Sequence, residues 1–540
     1  MSLFERLSPK NLGAPVVMRL LSDDRVMKLT QGVLDAKNRF AAAKDLAGQA
    51  LVVLRDGQEL PNIDPGLDGD ARGEDVVEEH RKPKPARVNG SHAGANGTAV
   101  AEPREGGEER ADAPKPVGPR DQHEQDLAKS MADRASLSKV GGKDVFDKCF
   151  KFMTADNARK MGVYPFFRPL DFNNGPVAQL EGREVIMLGS NNYLGLTTHP
   201  KVREAAKAAI DKYGTSMTGS RLVNGSMRLH EELEEKLAKF HGKEAGLVFT
   251  TGYQVNIATI SALLSNKSTV AVVDKDVHAS IYDGVRLGQA NKARMVRYRH
   301  NDPASLDQAL SELDEAEGAL VITDGVFSAQ GEIANLPGIV EVVKKHKARL
   351  MVDDAHGLGV LGPLGQGTAA HFGVQNDVDL IGGTFSKSLA SIGGWLVGDR
   401  KVLDYVRHFA FSFLFAASAA PPNVAAAMAA LEVMQEEPWR QEKLRENFTY
   451  MREQLKGMGF ELGTTQTAVI PIYIRQDLRT VMMWKSLLDD HSIYVNPFIT
   501  PGVPPKQQVL RTSYMATHER HHLDRALEAF QKVGKKFGVI

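Results

Sequence analysis

Two stretches decide the fold: "ARLMVDDAHGLG" (Ala348–Gly359) and "VDLIGGTFSKS" (Val378–Ser388). Each is a short apolar run that stops at a cluster of polar and small residues. Three more runs follow the same plan: "AGLVFTTG" (Ala245–Gly252), "STVAVVDKDVHAS" (Ser268–Ser280) and "GALVITDGVFS" (Gly318–Ser328). Helix-patterned segments separate them, such as "SMRLHEELEEKLAKFHG" (Ser226–Gly242) and "LPGIVEVVKKHK" (Leu336–Lys347). Uniformly apolar strands are buried on both faces. Alternating with helices, they form a mostly parallel sheet covered on both sides. The pattern predicts an α/β fold, with its ligand at the carboxyl ends of the strands.

Those strand ends carry the chemistry. Gly252 and Tyr253 open a helix, whose free N–H groups suit a phosphate; alone, a glycine there is ordinarily a tight turn. His278 follows a strand, where a histidine is ordinarily a hydrogen-bonded surface or core residue. Asp353 ends an apolar strand, and a buried carboxylate needs a cation or hydrogen-bond donors. His356 lies three residues on. A capping aspartate with a structural histidine fits these two equally well. A metal pair lacks further ligands at suitable spacing, so no metal is expected.

Lys387 is the sharpest feature. It follows the strand "DVDLI", has hydroxyls at Thr384, Ser386 and Ser388, and sits among small residues up to Trp395. Desolvation makes a lysine give up its proton and become nucleophilic. A phosphate cradle, a buried acid and such a lysine together suit pyridoxal 5'-phosphate (PLP). That cofactor bonds to lysine as a Schiff base and needs an acidic partner for its ring nitrogen.

Composition narrows the class. The chain has 540 residues and no net formal charge, which argues against a general nucleic-acid binder. A single cysteine, Cys149, excludes an internal disulfide and fits a reducing cytoplasm. Cys149 reads as a small apolar packing residue. No signal peptide and no membrane span is read; "FAFSFLFAASAA" (Phe409–Ala420) is too short and ends at prolines.

Texture divides the chain. Residues 1–60 carry helical periodicity and read as a helical extension. Residues 61–140 are rich in Pro, Gly, Ala and both charge signs, and read as a disordered linker. An N-terminal arm (141–195), a large domain (196–431) and a small α+β domain (432–540) follow. The small domain holds helices in "WRQEKLRENFTYMREQLKGMG" and "HERHHLDRALEAFQKVGKKFG" and strands in "AVIPIYI", "SIYVNPF" and "QQVLRTSYM".

From about Phe146 to Ile540 the chain resembles the α-oxoamine synthases, PLP enzymes of the aspartate-aminotransferase-like fold (fold type I). The motifs are "SNNYLGL" (Ser190–Leu196), "GSRLVNGSMRLHEELE" (Gly219–Glu234), "DKDVHASIYDG", "GVFSAQGEIANLP", "VDDAHGLGVLG" and "GTFSKSLASIGGW". The resemblance implies that Lys387 forms the Schiff base and Asp353 pairs the pyridinium nitrogen. It places His356 and Ser328 at the ring's phenolate oxygen and His278 on the ring face. Gly252, Tyr253, Thr384 and Ser386 would hold the phosphate, and Asn191 would lie near the substrate. "YPFFRPLD", "EVIMLGSNNYLGLTTHPKVREAAKAAIDKYGT" and "NPFITPGVPPKQQVLRTSYMATH" are most similar to the serine palmitoyltransferase branch of bacteria. The implied reaction is a decarboxylating condensation of L-serine with palmitoyl-CoA, with Lys387 taking the α-proton. It would free CoA and give a 3-oxo sphingoid base, the first step of sphingolipid synthesis. A cytoplasmic homodimer with shared active sites is implied, with peripheral contact at the inner face of a membrane left open.

Two departures stand out. Where some relatives carry an Arg-Pro-Pro motif that grips the substrate carboxylate, this chain reads "ITPGVP" (Ile499–Pro504); Arg511 is the remaining candidate. Where relatives often carry Ser or Thr to reach the neighbouring subunit's phosphate, Ala416 stands, with Ser418 nearby. Other readings stay open: a glycine C-acetyltransferase or 8-amino-7-oxononanoate synthase type of the same family, a plain aminotransferase, or an idle scaffold acting through its N-terminal arm.

Overall fold

The computed structural model describes residues 143–540, apart from residue 501. The helical extension expected over 1–60 and the linker expected over 61–140 lie outside the described residues.

Three short strands come first, β1 (Phe172–Asn174), β2 (Val177–Leu180) and β3 (Arg183–Met187), joined as an antiparallel meander. The central sheet follows: β4 (Ala245–Phe249), β5 (Thr269–Asp274), β6 (Arg294–Tyr298), β7 (Gly318–Asp324), β8 (Arg349–Asp353), β9 (Leu380–Thr384) and β10 (Gly394–Gly398). Its spatial order is β4-β10-β9-β8-β7-β5-β6. The pairs from β9 through β6 are parallel, and β10 runs antiparallel to both of its neighbours. The mostly parallel α/β sheet expected from the apolar runs is therefore present. β10 was not foreseen: its start lies in the small-residue stretch after Lys387, and it is only five residues long.

The runs make strands because their side chains leave water on both faces. Val270, Val272, Val321, Ile322, Leu350 and Val352 are all fully buried. Each such residue contributes about 1.5–3 kcal/mol of transfer free energy. Helices cover the sheet, and two of them set up the site. Helix Gly252–Leu263 packs against helix Ala279–Ala290. Contact is close because Gly284 lacks a side chain: a Cβ there would lie 2.9 Å from the Asn256 carbonyl. That approach brings Asn256 of one helix to Ser280 of the other.

Beyond helix Pro421–Glu436 come helix Trp439–Gly457, β11 (Val469–Tyr473), helix Asp477–His491, β12 (Ile493–Tyr494), β13 (Asn496–Phe498), β14 (Val509–Ser513) and helix Arg520–Lys536. The boundary expected at 431/432 falls inside helix Pro421–Glu436. The stretch "SIYVNPF", expected as one strand, is two. β12 pairs parallel with β3, while β13 pairs antiparallel with β14. The sheet β11-β14-β13 ends at β13, and Pro497, which has no N–H to donate, is tolerated on that edge. Cys149, expected to pack as an apolar residue, is exposed on the four-residue helix Asp147–Phe150.

Candidate active site

A cavity of about 330 Å³ opens at the carboxyl ends of β4, β5, β7, β8 and β9. Topology puts the key groups side by side. Asp353 ends β8 and is in register with Asp324 at the end of β7. Thr384 ends β9, and Lys387 follows three residues later. His278 caps the helix that follows β5.

Nine of the residues singled out in the sequence line this cavity: Gly252, Tyr253, His278, Ser328, Asp353, His356, Thr384, Ser386 and Lys387. Gly252 begins its helix behind Thr251, whose hydroxyl accepts from the Gln254 N–H. A Cβ on Gly252 would lie 2.5 Å from the Thr384 Cβ, so glycine is what lets the helix start meet the end of β9. The Thr384 and Ser386 hydroxyls are 2.8 Å apart, and the Ser386 N–H also donates to Thr384 Oγ1 at 3.1 Å. Tyr253 donates its hydroxyl to Asp283. Ser388, the third hydroxyl flanking the lysine, is turned away: it is buried and donates to the Leu358 carbonyl at 2.6 Å.

Electrostatics mark the same residues. Burial pushes the Lys387 ammonium down to about 8, against the opposing pull of the Asp353 carboxylate. Desolvation also lowers His278, which Asp353 partly offsets, and holds His356 well below the usual imidazole range. Asp353 is buried, and both its oxygens are occupied. Oδ1 accepts from the Ala355 N–H at 3.0 Å and Oδ2 from Asn256 Nδ2 at 2.6 Å. Asp324 is raised well above the ordinary carboxylate range, first by burial and then by the charge of Asp353 beside it.

Asn191 and Arg511 do not line the cavity; they meet each other just behind it. The Arg511 guanidinium is buried and donates to Asn191 Oδ1 at 3.0 Å, to the Ser328 carbonyl at 2.6 Å and to Ser513 Oγ at 2.9 Å. Tyr193 joins this group, its hydroxyl 2.6 Å from His356 Nδ1.

Sequence reading missed Asp324, Asn256, Ser280 and Tyr193. Asp324 had a signal: it ends an apolar run just as Asp353 does. Of the adjacent pair Asp353-Asp354, the cavity is lined by Asp353, the one expected. Asp354 turns away from the cavity and accepts from the Thr368 N–H and hydroxyl at 2.7 and 2.6 Å. Its burial lifts it to about 6.

A family model described as aminotransferase class I and II matches residues 183–530. The chain belongs to this family. Within it, the serine palmitoyltransferase of Sphingobacterium spiritivorum is 44% identical over 385 residues, covering 71% of this chain and 95% of that one. The 8-amino-7-oxononanoate synthase of Thermoanaerobacter pseudethanolicus is 38% identical over 386 residues, 71% of this chain and 96% of the other. Both are α-oxoamine synthases, the group whose motifs this chain carries. A solved high-resolution structure of SPT with PLP internal aldimine superposes with a TM-score of 0.71 at 35% identity, covering 74% of this chain and 100% of that one.

Proposed function

We propose that this chain is a PLP-dependent acyltransferase that condenses L-serine with a long-chain acyl-CoA, palmitoyl-CoA foremost. CoA and carbon dioxide leave, and the product is a 3-oxo sphingoid base. The observation that carries this reading is the meeting of Lys387, Asp353 and His278 in one cavity at the strand ends. The 44% identity to a serine palmitoyltransferase selects the substrates.

The residues present fit PLP. The cradle at Gly252, where a Cβ would strike Thr384, leaves backbone N–H groups and the hydroxyls of Thr384 and Ser386 for a phosphate. Asp353 would hold the ring nitrogen's proton, His278 would face the ring, and His356 and Ser328 would meet its phenolate oxygen. When bound, PLP supplies an electron sink for the pair released at the substrate's α-carbon. Lys387 Nζ, its pKa lowered to about 8 by burial, is available near neutral pH both as the attachment point and as the base that takes the α-proton. Arg511 is a buried cation whose described hydrogen-bond partners are all neutral. A buried charge of that kind calls for an anion, and the serine carboxylate is the proposed one. A Gly252→Ala substitution is expected to lower PLP affinity at least tenfold and to cost about 1–3 kcal/mol of stability through overpacking. Cofactor titration and thermal melting would check both.

The acyl donor has a natural approach. His278 and Ser328 also line a neighbouring recess of about 490 Å³. Its walls include the apolar Phe498, Val503 and Val509 and the exposed charges of Lys275, Arg297 and Asp276, two cations to one carboxylate. The cations suit the phosphates of CoA. Arg297→Ala is expected to raise KM for palmitoyl-CoA about three- to tenfold with little change in kcat, the mark of lost uniform binding. Steady-state kinetics at two ionic strengths would test it, with the difference shrinking at high salt.

A homodimer belongs to the same proposal. Ile392 lines the cavity yet is 56% exposed, which suits closure by a second copy. A large domain, a small C-terminal domain that begins beyond helix Pro421–Glu436 and a place in sphingolipid synthesis belong to the proposal too. Among the described residues no helix is long and apolar enough to cross a membrane. Cytoplasmic placement, with peripheral contact at the inner membrane face, is part of the proposal.

The deciding experiment is an absorbance titration of the purified protein with L-serine, glycine and L-alanine, followed by palmitoyl-CoA with detection of free CoA. The largest spectral shift with serine and release of CoA are expected. A stronger response to glycine or alanine, or an inert palmitoyl-CoA, would move the chain to another α-oxoamine synthase activity. A protein that stays colourless with added PLP would end the enzymatic reading.

A further inference from the structure

His278 is held by a directed chain of hydrogen bonds that starts at Asp353. Asn256 Nδ2 donates one hydrogen to Asp353 Oδ2 at 2.6 Å and the other to Ser280 Oγ at 2.8 Å. The opposite amide orientation would set Asn256 Oδ1 against the carboxylate oxygen, so the carboxylate dictates which way the amide faces. The cost is visible: Asn256 Oδ1 is buried and has no hydrogen-bond partner among the described residues. Because Ser280 Oγ receives the amide hydrogen, its own hydroxyl hydrogen is free to go to His278 Nδ1, 2.8 Å away. The Ser280 backbone N–H points to the same nitrogen at 3.3 Å. Nδ1 thus faces two donors, and the ring proton of neutral His278 belongs on Nε2. Nε2 has no partner among the described residues.

We infer that Asn256 and Ser280 are positioning residues that carry the orientation of Asp353 to His278, so that His278 presents Nε2–H to the cavity as a hydrogen-bond donor. This rests on the reading of the cavity as the active site. The packing already described makes the relay possible, since Gly284 lets the two helices approach closely enough for Asn256 to reach Ser280. Partners that fix the tautomer of a metal-bound histidine cost about ten- to a hundredfold when lost, and the lower end of that range is the effect expected for His278.

The test uses the full chain labelled with 15N at histidine, with and without PLP. The His278 resonances are identified by their loss in His278→Phe. Nδ1 is expected as an unprotonated ring nitrogen and Nε2 as a protonated one. Ser280→Ala should move Nδ1 toward the protonated position and lower kcat/KM for L-serine about tenfold. Ser280→Thr, which keeps the hydroxyl, should restore both to within about twofold. Asn256→Leu frees the Ser280 oxygen to accept from the ring, so it should shift Nδ1 the same way; it serves if Ser280→Ala does not fold. A protonated Nδ1 in the unmodified chain overturns the inference. So does a Ser280→Ala protein with unchanged Nδ1 resonance and unchanged kcat/KM. The resonances are read on the imidazole itself and also without PLP. Failure of the proposed reaction shows separately, as the absence of any spectral response to amino acids.

Discussion

Lys387→Ala is expected to lower CoA release from L-serine and palmitoyl-CoA by at least about a thousandfold, since one side chain supplies both the covalent anchor and the proton acceptor. The fold should survive. The Lys387 side chain has no hydrogen-bond or ion-pair partner among the described residues, so its truncation orphans no described group, and the Lys387 carbonyl keeps its bond from the Ala390 N–H. The matched control is Ser388→Ala. That neighbour spends its hydroxyl on the Leu358 carbonyl inside the core, so its loss should cost about 1 kcal/mol of stability and leave turnover within a few-fold. The charge state of Lys387 can be followed directly. In the cofactor-free chain, labelling by an amine-directed reagent should rise through about pH 8, where the neutral amine appears. The sign follows from desolvation, which disfavours the ammonium in the folded chain. This lysine therefore weakens the fold below about pH 8, and that penalty fades as pH rises toward its unfolded value of 10.5. Labelling that begins only above pH 10 would refute the buried environment.

Asp353→Asn is the second large effect. The shape is kept and the charge is lost, so the ring nitrogen of the cofactor loses its anionic partner. A fall in kcat of about a hundredfold or more is expected. Stability should drop as well, and for a different reason. The carboxylate accepts from both the Ala355 N–H and Asn256 Nδ2. An amide offers only one oxygen, so one buried donor goes unpaired at a cost of about 1–3 kcal/mol. Asp353 also favours the protonated form of Lys387. Its neutralisation should therefore shift the labelling of Lys387 to lower pH. Pre-steady-state kinetics, thermal melting and the labelling profile separate the three consequences. An Asp353→Asn enzyme with normal turnover would remove Asp353 from the proposed chemistry.

Much of this site was readable in the residues because the fold's period is simple. A parallel strand buried on both faces is an uninterrupted apolar run, so its carboxyl end can be read off as the place where the run stops. That is why Asp353, Thr384, Lys387 and His278 stand out in the sequence. The same rule, applied evenly, would have named Asp324. β10 is short and begins and ends on glycine, so no long apolar run marked it. Nor does a continuous pattern show where a strand changes sheets, so the split between β12 and β13 was missed.

By itself, the sequence determined the α/β class, the strand ends that carry chemistry, and the lysine-aspartate-histidine set that suits PLP. These depend on local periodicity and on residue type, which a chain carries in its order. Tertiary structure alone decided that Asp354, beside Asp353, turns to Thr368 and that Ser388 faces the core. It also decided that Arg511 lies buried against Asn191, and that Asn256 reaches Asp353 and Ser280 together. Asn256 and Asp353 are 97 positions apart in the chain. Contacts at such separations arise only when helices and strands pack, and no local pattern encodes them.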